Sequence, residues 1–483
     1  MKVLFIVKTV DFIDPHGIML LSAIAKKAGH ETFLGVITRE NIYDKIDRIK
    51  PDIIAYSAST GEHKYYCSIN PSIKKKFDVF TIIGGPHITF YPDSFFLGKF
   101  DAACIGEGDE AFPELLNNLS EDRNIDNIHN IKVGKKNPFL RPLVQDLNSF
   151  PFPDRDIFYK NTEMGNFPIK SFITGRGCPY PCTYCFNYSF KEMYRGKGKF
   201  LRRVKVDYII DEISRVKSQY PLQFIKFYDD IFAFPKDSWL KEFVEKYKSK
   251  INIPFHCATR PDLVNEDMVK LLKEGGCFSV NMSIEAGNAD FRNKLLKRNI
   301  EEEAIVKAFH MFHKYSIKIF SNSILGLPYS NIEHDIETLN LNLKCKVHFA
   351  EFPVYHPYPK TELGDYCIKK RIFDGDFDSL HMSYQNKSPL SCFSEKQKKL
   401  QKNLSLLSAM IICFPWTRRL VLNCLIHIRP NIVFFWIYLL FKIYLVKTKI
   451  YPFHSSAGEI FNLFKKSFSV DYFKHSDEEF SHS

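Results

Sequence analysis

Gly175-Arg176-Gly177-Cys178-Pro179-Tyr180-Pro181-Cys182-Thr183-Tyr184-Cys185 is the stretch that decides how the rest of the chain reads. It directly follows a strand-like run at 169–174, so it forms a loop at a strand's carboxyl end, where parallel-barrel enzymes keep their chemistry. Three thiols at C-x3-C-x2-C spacing converge on one soft-metal centre. A zinc site usually completes four protein ligands, and no nearby Cys or His pair supplies a fourth. Zinc or three incidental loop cysteines is the alternative. Three ligands on a four-iron cluster leave one iron open for a substrate or cofactor.

Downstream of the loop, strand patterns at 224–228, 254–259, 279–284, 317–325 and 350–355 alternate with helical spacing at 206–219, 236–248, 265–274 and 300–315. Six βα-like units predict a partial or complete parallel barrel. Upstream, runs at 2–8, 31–36, 52–59, 80–84 and 101–105 are strand-like, with helical spacing at 17–28, and predict a doubly wound sheet. Ligands of such sheets lie beyond the strands' carboxyl ends. Those ends carry Ser57-Ala58-Ser59-Thr60, Gly84-Gly85-Pro86-His87 and Gly106-Glu107-Gly108, small enough for a bulky ligand to reach the backbone. Tight turns are the alternative for any one of them. The proline-punctuated run Asn148-Ser149-Phe150-Pro151-Phe152-Pro153-Asp154 marks a connector. The expected domains are 1–125, a linker at 126–167, a barrel at 168–383 and a basic helical region at 384–483.

Length and composition agree with this division. At 483 residues, 45% apolar and 25% charged, the chain exceeds one ordinary core and has no disordered bias. Its 12 cysteines are mostly solitary, and the N-terminal apolar run is brief for a signal peptide, so a cytoplasmic, reducing setting is expected. The net charge of +12 is uneven: from residue 384 onward, 14 Lys/Arg face 6 Asp/Glu. Such an end points to a membrane surface or an anionic substrate. The apolar run at 432–441 is short for a spanning helix and is followed by Lys442. A buried core helix is the first reading, a helix lying on a bilayer surface the second, a transmembrane span the third.

The cysteine triplet resembles the signature of the radical S-adenosylmethionine (SAM) superfamily, with Tyr184 as the aromatic before the last cysteine. The Arg-Gly-Cys-Pro-Tyr lead-in, together with Gly84-Gly85-Pro86-His87 and Gly106-Glu107-Gly108-Asp109-Glu110, looks like the subgroup with an N-terminal cobalamin-binding domain. The resemblance covers roughly residues 1–365. It implies a flavodoxin-like cobalamin domain, a (β/α)6 partial barrel, and a [4Fe–4S] cluster on Cys178, Cys182 and Cys185 whose open iron chelates SAM. It also implies an external one-electron donor of flavodoxin or ferredoxin type. The nucleotide tail of cobalamin is expected among Ser57, Ser59, Thr60, Gly84, Gly85, Pro86, His87, Gly106, Glu107 and Gly108. Asp229 and Asp230 replace the family's Gly-Gly-Glu and are expected to receive the SAM ammonium; capping the next helix is their alternative. Glu285, in Ser283-Ile284-Glu285-Ala286-Gly287, is expected on the SAM ribose, and Gly326 and Pro328 beside the adenine. Arg260 meets the SAM carboxylate or forms a structural ion pair. Asp14-Pro15-His16 resembles a lower-ligand motif, but Met19 stands where its glycine belongs.

The leading implied activity is methyl transfer to an unactivated carbon of a small or lipid-like substrate. A cyclisation or rearrangement with the same cofactors is the first rival, a barrel whose first domain binds no cobalamin the second. A non-enzymatic iron–sulfur redox sensor comes from a different class. The tail lacks the aromatic–basic interleaving of single-strand binders, so no nucleic acid is expected; peripheral membrane contact through the C-terminal region is.

Overall fold

The computed structural model describes residues 1–10, 13–381 and 383–453. Strands joined by helices must run parallel, because the crossover returns the chain to its starting edge. In the first domain β1 (Lys2–Val7), β2 (Glu31–Val36), β3 (Ile53–Ser57), β4 (Phe80–Gly84) and β5 (Ala102–Cys104) do so, in the order β2-β1-β3-β4-β5. A short β6 (Ile131–Lys132) adds antiparallel to β5. The register runs from Lys2↔Glu31 to Val7↔Val36 and from Ile53↔Phe80 to Ser57↔Gly84. Helices α1 (His16–Lys27), α2 (Ile42–Ile49), α3 (His63–Lys76), α4 (Pro86–Phe90) and α5 (Ala111–Ser120) intervene. Side chains alternate across a strand, so Val3 and Phe5 pack with Met19 and Phe112 on one face. Leu4 and Ile6 pack with Ile46 and Tyr66 on the other. The order reverses between β1 and β3, which opens a crevice beyond their carboxyl ends.

The connector carries α6 (Asp156–Tyr159) and leads to β7 (Ile169–Phe172), then a two-residue ribbon of β8 (Gly175–Arg176) and β9 (Arg202–Arg203) flanking α7 (Phe186–Met193). Next come α8 (Val206–Gln219), β10 (Phe224–Phe227), α9 (Ser238–Lys250), β11 (Phe255–Ala258), α10 (Glu266–Glu274) and β12 (Cys277–Asn281). The series closes with α11 (Glu302–Lys314), β13 (Lys318–Asn322), α12 (Ile332–Lys344), β14 (Phe349–Glu351) and α13 (Glu362–Lys369). The six major strands form one parallel sheet, β14-β13-β12-β11-β10-β7, whose edges are β7 and β14. This is the expected six-unit partial barrel. The apolar runs at 279–284 and 317–325 overshoot their strands: beyond Asn281 and Asn322 the regular ladder gives way to the isolated bridges Glu285↔Ser323 and Leu325↔Val354, with backbone bonds such as Met282 N–H to the Phe320 carbonyl at 2.9 Å.

The C-terminal region is helical: α14 (Glu395–Cys413), opened by a Ser394–Gln397 capping box, α15 (Arg418–Asn423) and α16 (Ile432–Leu445), capped by Asn431. The first reading of 432–441, a buried core helix, is corrected. Phe434, Phe435, Tyr438 and Leu439 are buried, while Ile432, Val433, Leu440 and Tyr444 are exposed, so α16 lies along α14 with one apolar side outward. No helix among the described residues is long and apolar enough to cross a membrane. Residues 454–483 of the predicted basic region lie outside the described residues.

Candidate active site and adjoining cavity

The cysteine loop leaves the carboxyl end of β7 and turns at Gly177, whose φ of +94° and close approach to the Phe200 carbonyl (2.5 Å from a Cβ placed there) admit only glycine. Cys182 is buried, Cys178 and Cys185 half-buried, and Cys185 begins α7. Burial pushes the Cys185 thiol up to about 12 and raises Cys178 as well, so a metal centre entering here displaces protons.

Three side-chain groups surround the loop. Tyr184 Oη donates to Glu285 Oε1 at 2.8 Å, and Arg298 reaches both, at 3.3 Å from Tyr184 Oη and 3.6 Å from the carboxylate. Glu285 holds a φ of +66°, a left-handed conformation rare for a carboxylate residue and common at functional sites. Burial raises its pKa, and Arg298 opposes the rise. Asp230 accepts from Asn187 Nδ2 at 2.7 Å and faces Cys178 and Cys185. Arg260 pairs with Asp262 (3.0 and 3.2 Å), lies over the Tyr180 ring at 3.5 Å and points Nη1 at Cys182 Sγ, 3.4 Å away. Gly326, with φ +63°, donates its N–H to Asp335 Oδ1 at 2.9 Å; burial pushes the Asp335 carboxyl up to about 8.

Asp229 stands apart from this group. Its carboxylate accepts from the Thr174 N–H (3.1 and 3.2 Å) and Oγ1–H (2.7 Å), which anchors the root of the cysteine loop. The helix-cap alternative fails for both aspartates, since α9 is capped by Asp237.

Next to the loop, a cavity of about 350 Å³ opens between the two domains at the carboxyl ends of β1, β3, β4 and β5. That volume suits a small-molecule moiety. Phe5, Leu21, Ile82 and Phe112 form its apolar wall, and Ser57, Gly84, Gly85, Gly106, Glu107 and Gly108 its rim. A Cβ on Gly108 would come 3.2 Å from Cys104 Sγ, so the glycine keeps this cradle open. An apolar slot with a rim of backbone and small residues fits the nucleotide tail of a corrinoid.

The cavity excludes four of the predicted loop residues. Ser59, Thr60, Pro86 and His87 do not line it. Ser59 Oγ donates to Glu62, and Thr60 Oγ1 lies 3.1 Å from His87 Nδ1. His87 is fully buried and stacked on His63 with centroids 3.6 Å apart; both rings face Asp378 of the segment after α13. Among the described residues, His63, His87 and Asp378 alone bring three ligand-type atoms within 4.8 Å. Gly61 N–H donates to His63 Nδ1, so His63 Nε2 carries the proton and donates to Asp378 at 2.9 Å. His87 Nε2, 3.4 Å from Asp378, has no hydrogen-bond partner, so the clamp between domains rests on the His63–Asp378 bond.

Two further clamps were invisible in the sequence because their partners are remote in it. Arg176 grips Asp109 through two bonds of 2.6 and 3.0 Å, and Arg202 grips Glu107 through two of 3.0 and 2.5 Å. Glu107 thus lines the cavity with its carboxylate already committed. Asp14 accepts from Ser171 N and Oγ (both 2.6 Å) and from Tyr159 Oη (2.7 Å), beside Arg155, which bonds Glu212 at 2.8 Å. His16 Nε2 lies 3.0 Å from Ser171 Oγ, so the Asp14-Pro15-His16 run docks the first domain onto β7.

Comparison with known proteins agrees with both halves. The B12 binding domain model matches residues 3–116, and the radical SAM superfamily model matches 172–341. An uncharacterized methyltransferase of Pyrococcus horikoshii is 28% identical over 351 residues, covering 70% of this chain and 73% of its own. The anaerobic magnesium-protoporphyrin IX monomethyl ester cyclase of Rubrivivax gelatinosus is 24% identical over 389 residues, covering 74% and 67%. The solved cobalamin-dependent SAM radical enzyme OxsB shares the fold, with a TM-score of 0.66 at 15% identity over 98% of this chain and 76% of that one.

Proposed function

Because the chain belongs to the radical SAM superfamily and carries a B12-binding domain ahead of its barrel, we propose that it transfers a methyl group to an unactivated carbon of a small or lipid-like substrate. The [4Fe–4S] cluster, when bound, supplies the electron that splits SAM to methionine and a 5′-deoxyadenosyl radical, and cobalamin carries the methyl group. The observation that carries this reading is the adjacency of the cysteine loop and the cavity, joined through Gly175 and Arg176, which belong to the loop's root and line the cavity.

In this reading Cys178, Cys182 and Cys185 hold the cluster. Tyr184 and Arg298 orient Glu285 to accept from the ribose hydroxyls, and Asp230, the member of the aspartate pair that faces the thiols, receives the ammonium. Arg260 has its fork on Asp262, so it acts on the Cys182 sulfur and not on the SAM carboxylate. Gly326 and Pro328 flank the adenine, and Ser57, Gly84, Gly85, Gly106 and Gly108 admit the nucleotide tail. The division at 1–125, 126–167, 168–383 and 384–483 is part of the proposal, as are a cytoplasmic setting, a flavodoxin- or ferredoxin-type donor and peripheral membrane contact through the last region. Anaerobic turnover of a lipid extract with methyl-deuterated SAM, reductant and hydroxocobalamin tests it. A deuteromethylated product with S-adenosylhomocysteine and 5′-deoxyadenosine supports methyl transfer; 5′-deoxyadenosine with an unmethylated, rearranged or cyclised product replaces it with the rival chemistry.

A further inference from the structure

Resting on the membrane-contact part of that reading, we infer that the outward side of the C-terminal helices is a docking surface for an anionic phospholipid bilayer. The apolar stripe comes first. On α16, Ile432 (49% exposed), Val433 (57%), Leu440 (56%) and Tyr444 (50%) follow helical spacing along one side, while the other side is buried. Phe414, at the end of α14, extends the stripe: its ring centroid lies 5.7 Å from that of Phe441 on α16 and 6.2 Å from that of Trp416. Trp416 is 77% exposed, the most open large apolar side chain described. Contiguous apolar surface of this kind marks an interaction site, not ordinary surface.

Charge selects the occupant. Between Glu395 and Glu459 the sequence holds ten Lys or Arg and no Asp or Glu. Arg419, three residues after Trp416, and Arg429, three residues before Ile432, are exposed. Aromatic and aliphatic side chains set among cations, with no carboxylate to be repelled, match the interface of an anionic membrane. A second copy of this chain would bring like charge against like charge. A spanning arrangement is too short: 14 residues of α16 rise about 21 Å against a hydrocarbon core of about 30 Å. The helix therefore lies in the interface plane.

The same helix reaches the barrel. Tyr438 Oη and Lys442 Nζ both bond Glu351 at the end of β14, at 3.3 and 3.0 Å. One helix, roughly 10 Å across, separates the stripe from the barrel's edge strand, so docking brings that edge against the membrane that holds a lipid-like substrate.

The test uses the full-length protein and flotation with vesicles of phosphatidylcholine alone or mixed with phosphatidylglycerol. Wild type is expected to float with the anionic vesicles, roughly tenfold less with neutral ones or at high salt. Val433→Asp/Leu440→Asp is expected to lose at least about tenfold of that binding while producing as much 5′-deoxyadenosine as wild type in vesicle-free buffer. Brominated lipid is expected to quench wild-type tryptophan emission, and Trp416→Phe to lose part of the quench, with Trp436, 37% exposed on the outward side of α16, carrying the rest. Equal flotation of wild type and the double variant, wild type left in the soluble fraction, no Trp416-dependent quench, or a wild-type dimer that the double variant dissociates would each overturn the inference. Loss of SAM cleavage in wild type itself would instead count against the catalytic reading and leave the docking result standing.

Discussion

The cysteine loop after β7 and the glycine loops after β3, β4 and β5 occupy equivalent positions, at the carboxyl ends of two parallel sheets, but they spend their polar groups differently. Around the cysteines, Asp230 and Glu285 keep carboxylates beside the thiols, positioned by Asn187, Tyr184 and Arg298. In the first domain the polar groups face the partner domain: Glu107 and Asp109 hold Arg202 and Arg176, Asp14 holds Ser171, and His87 and His63 face Asp378. What remains for a ligand there is backbone, glycine and an apolar wall. In the proposed reading one half recognises by charge and the other by shape, and the clamps hold together the two domains between which that shape lies.

Four perturbations break or sharpen this contrast. Arg155→Met leaves Asp14 and Glu212 buried without their cation and is expected to cost about 4 kcal/mol, seen as a lower Tm and easier proteolysis of the connector. Gly108→Leu fills the cradle beside Cys104 and Leu21 and is expected to weaken cobalamin retention about a hundredfold, close to 3 kcal/mol. SAM cleavage by that variant should stay within about twofold of wild type, and parallel loss of both would show that the two halves are not separable.

The third perturbation is acid. Burial, with Arg155 adding to it, lowers His16 to about 4. A depressed histidine contributes stability that is present above its unfolded pKa near 6.5 and lost as pH falls from there toward 4. With His16 partly exposed, about 1–2 kcal/mol is expected. Denaturant midpoints measured between pH 7 and 4 should drop less in His16→Gln than in wild type. The smallest effect is expected from Glu285→Gln, which keeps a hydrogen-bonding side chain but loses the charge proposed to meet the ribose: about a tenfold rise in KM for SAM with cluster content unchanged.

The cysteine site was legible because its spacing is local, three thiols within eight residues behind a strand. The strands of both sheets were legible from short β-branched and aromatic runs, although their ends were overread where the regular ladder gives way to the isolated bridges at Glu285 and Leu325. The clamps were not legible. His63 and Asp378 stand 315 positions apart, and Arg176 and Asp109 67, so no window of sequence holds both partners. His87 looked like a ligand residue because it follows two glycines, and only the fold reveals that its ring turns away from the cavity. The apolar run of α16 told of burial on one side and could not tell of exposure on the other, since its residues are apolar all round.

Reductive SAM cleavage by anaerobically reconstituted protein tests the central assignment most directly. Under dithionite, wild type should form 5′-deoxyadenosine and methionine in equal amounts, and Cys182→Ala should form neither. Undiminished 5′-deoxyadenosine from Cys182→Ala with a full complement of iron and sulfide would contradict the account.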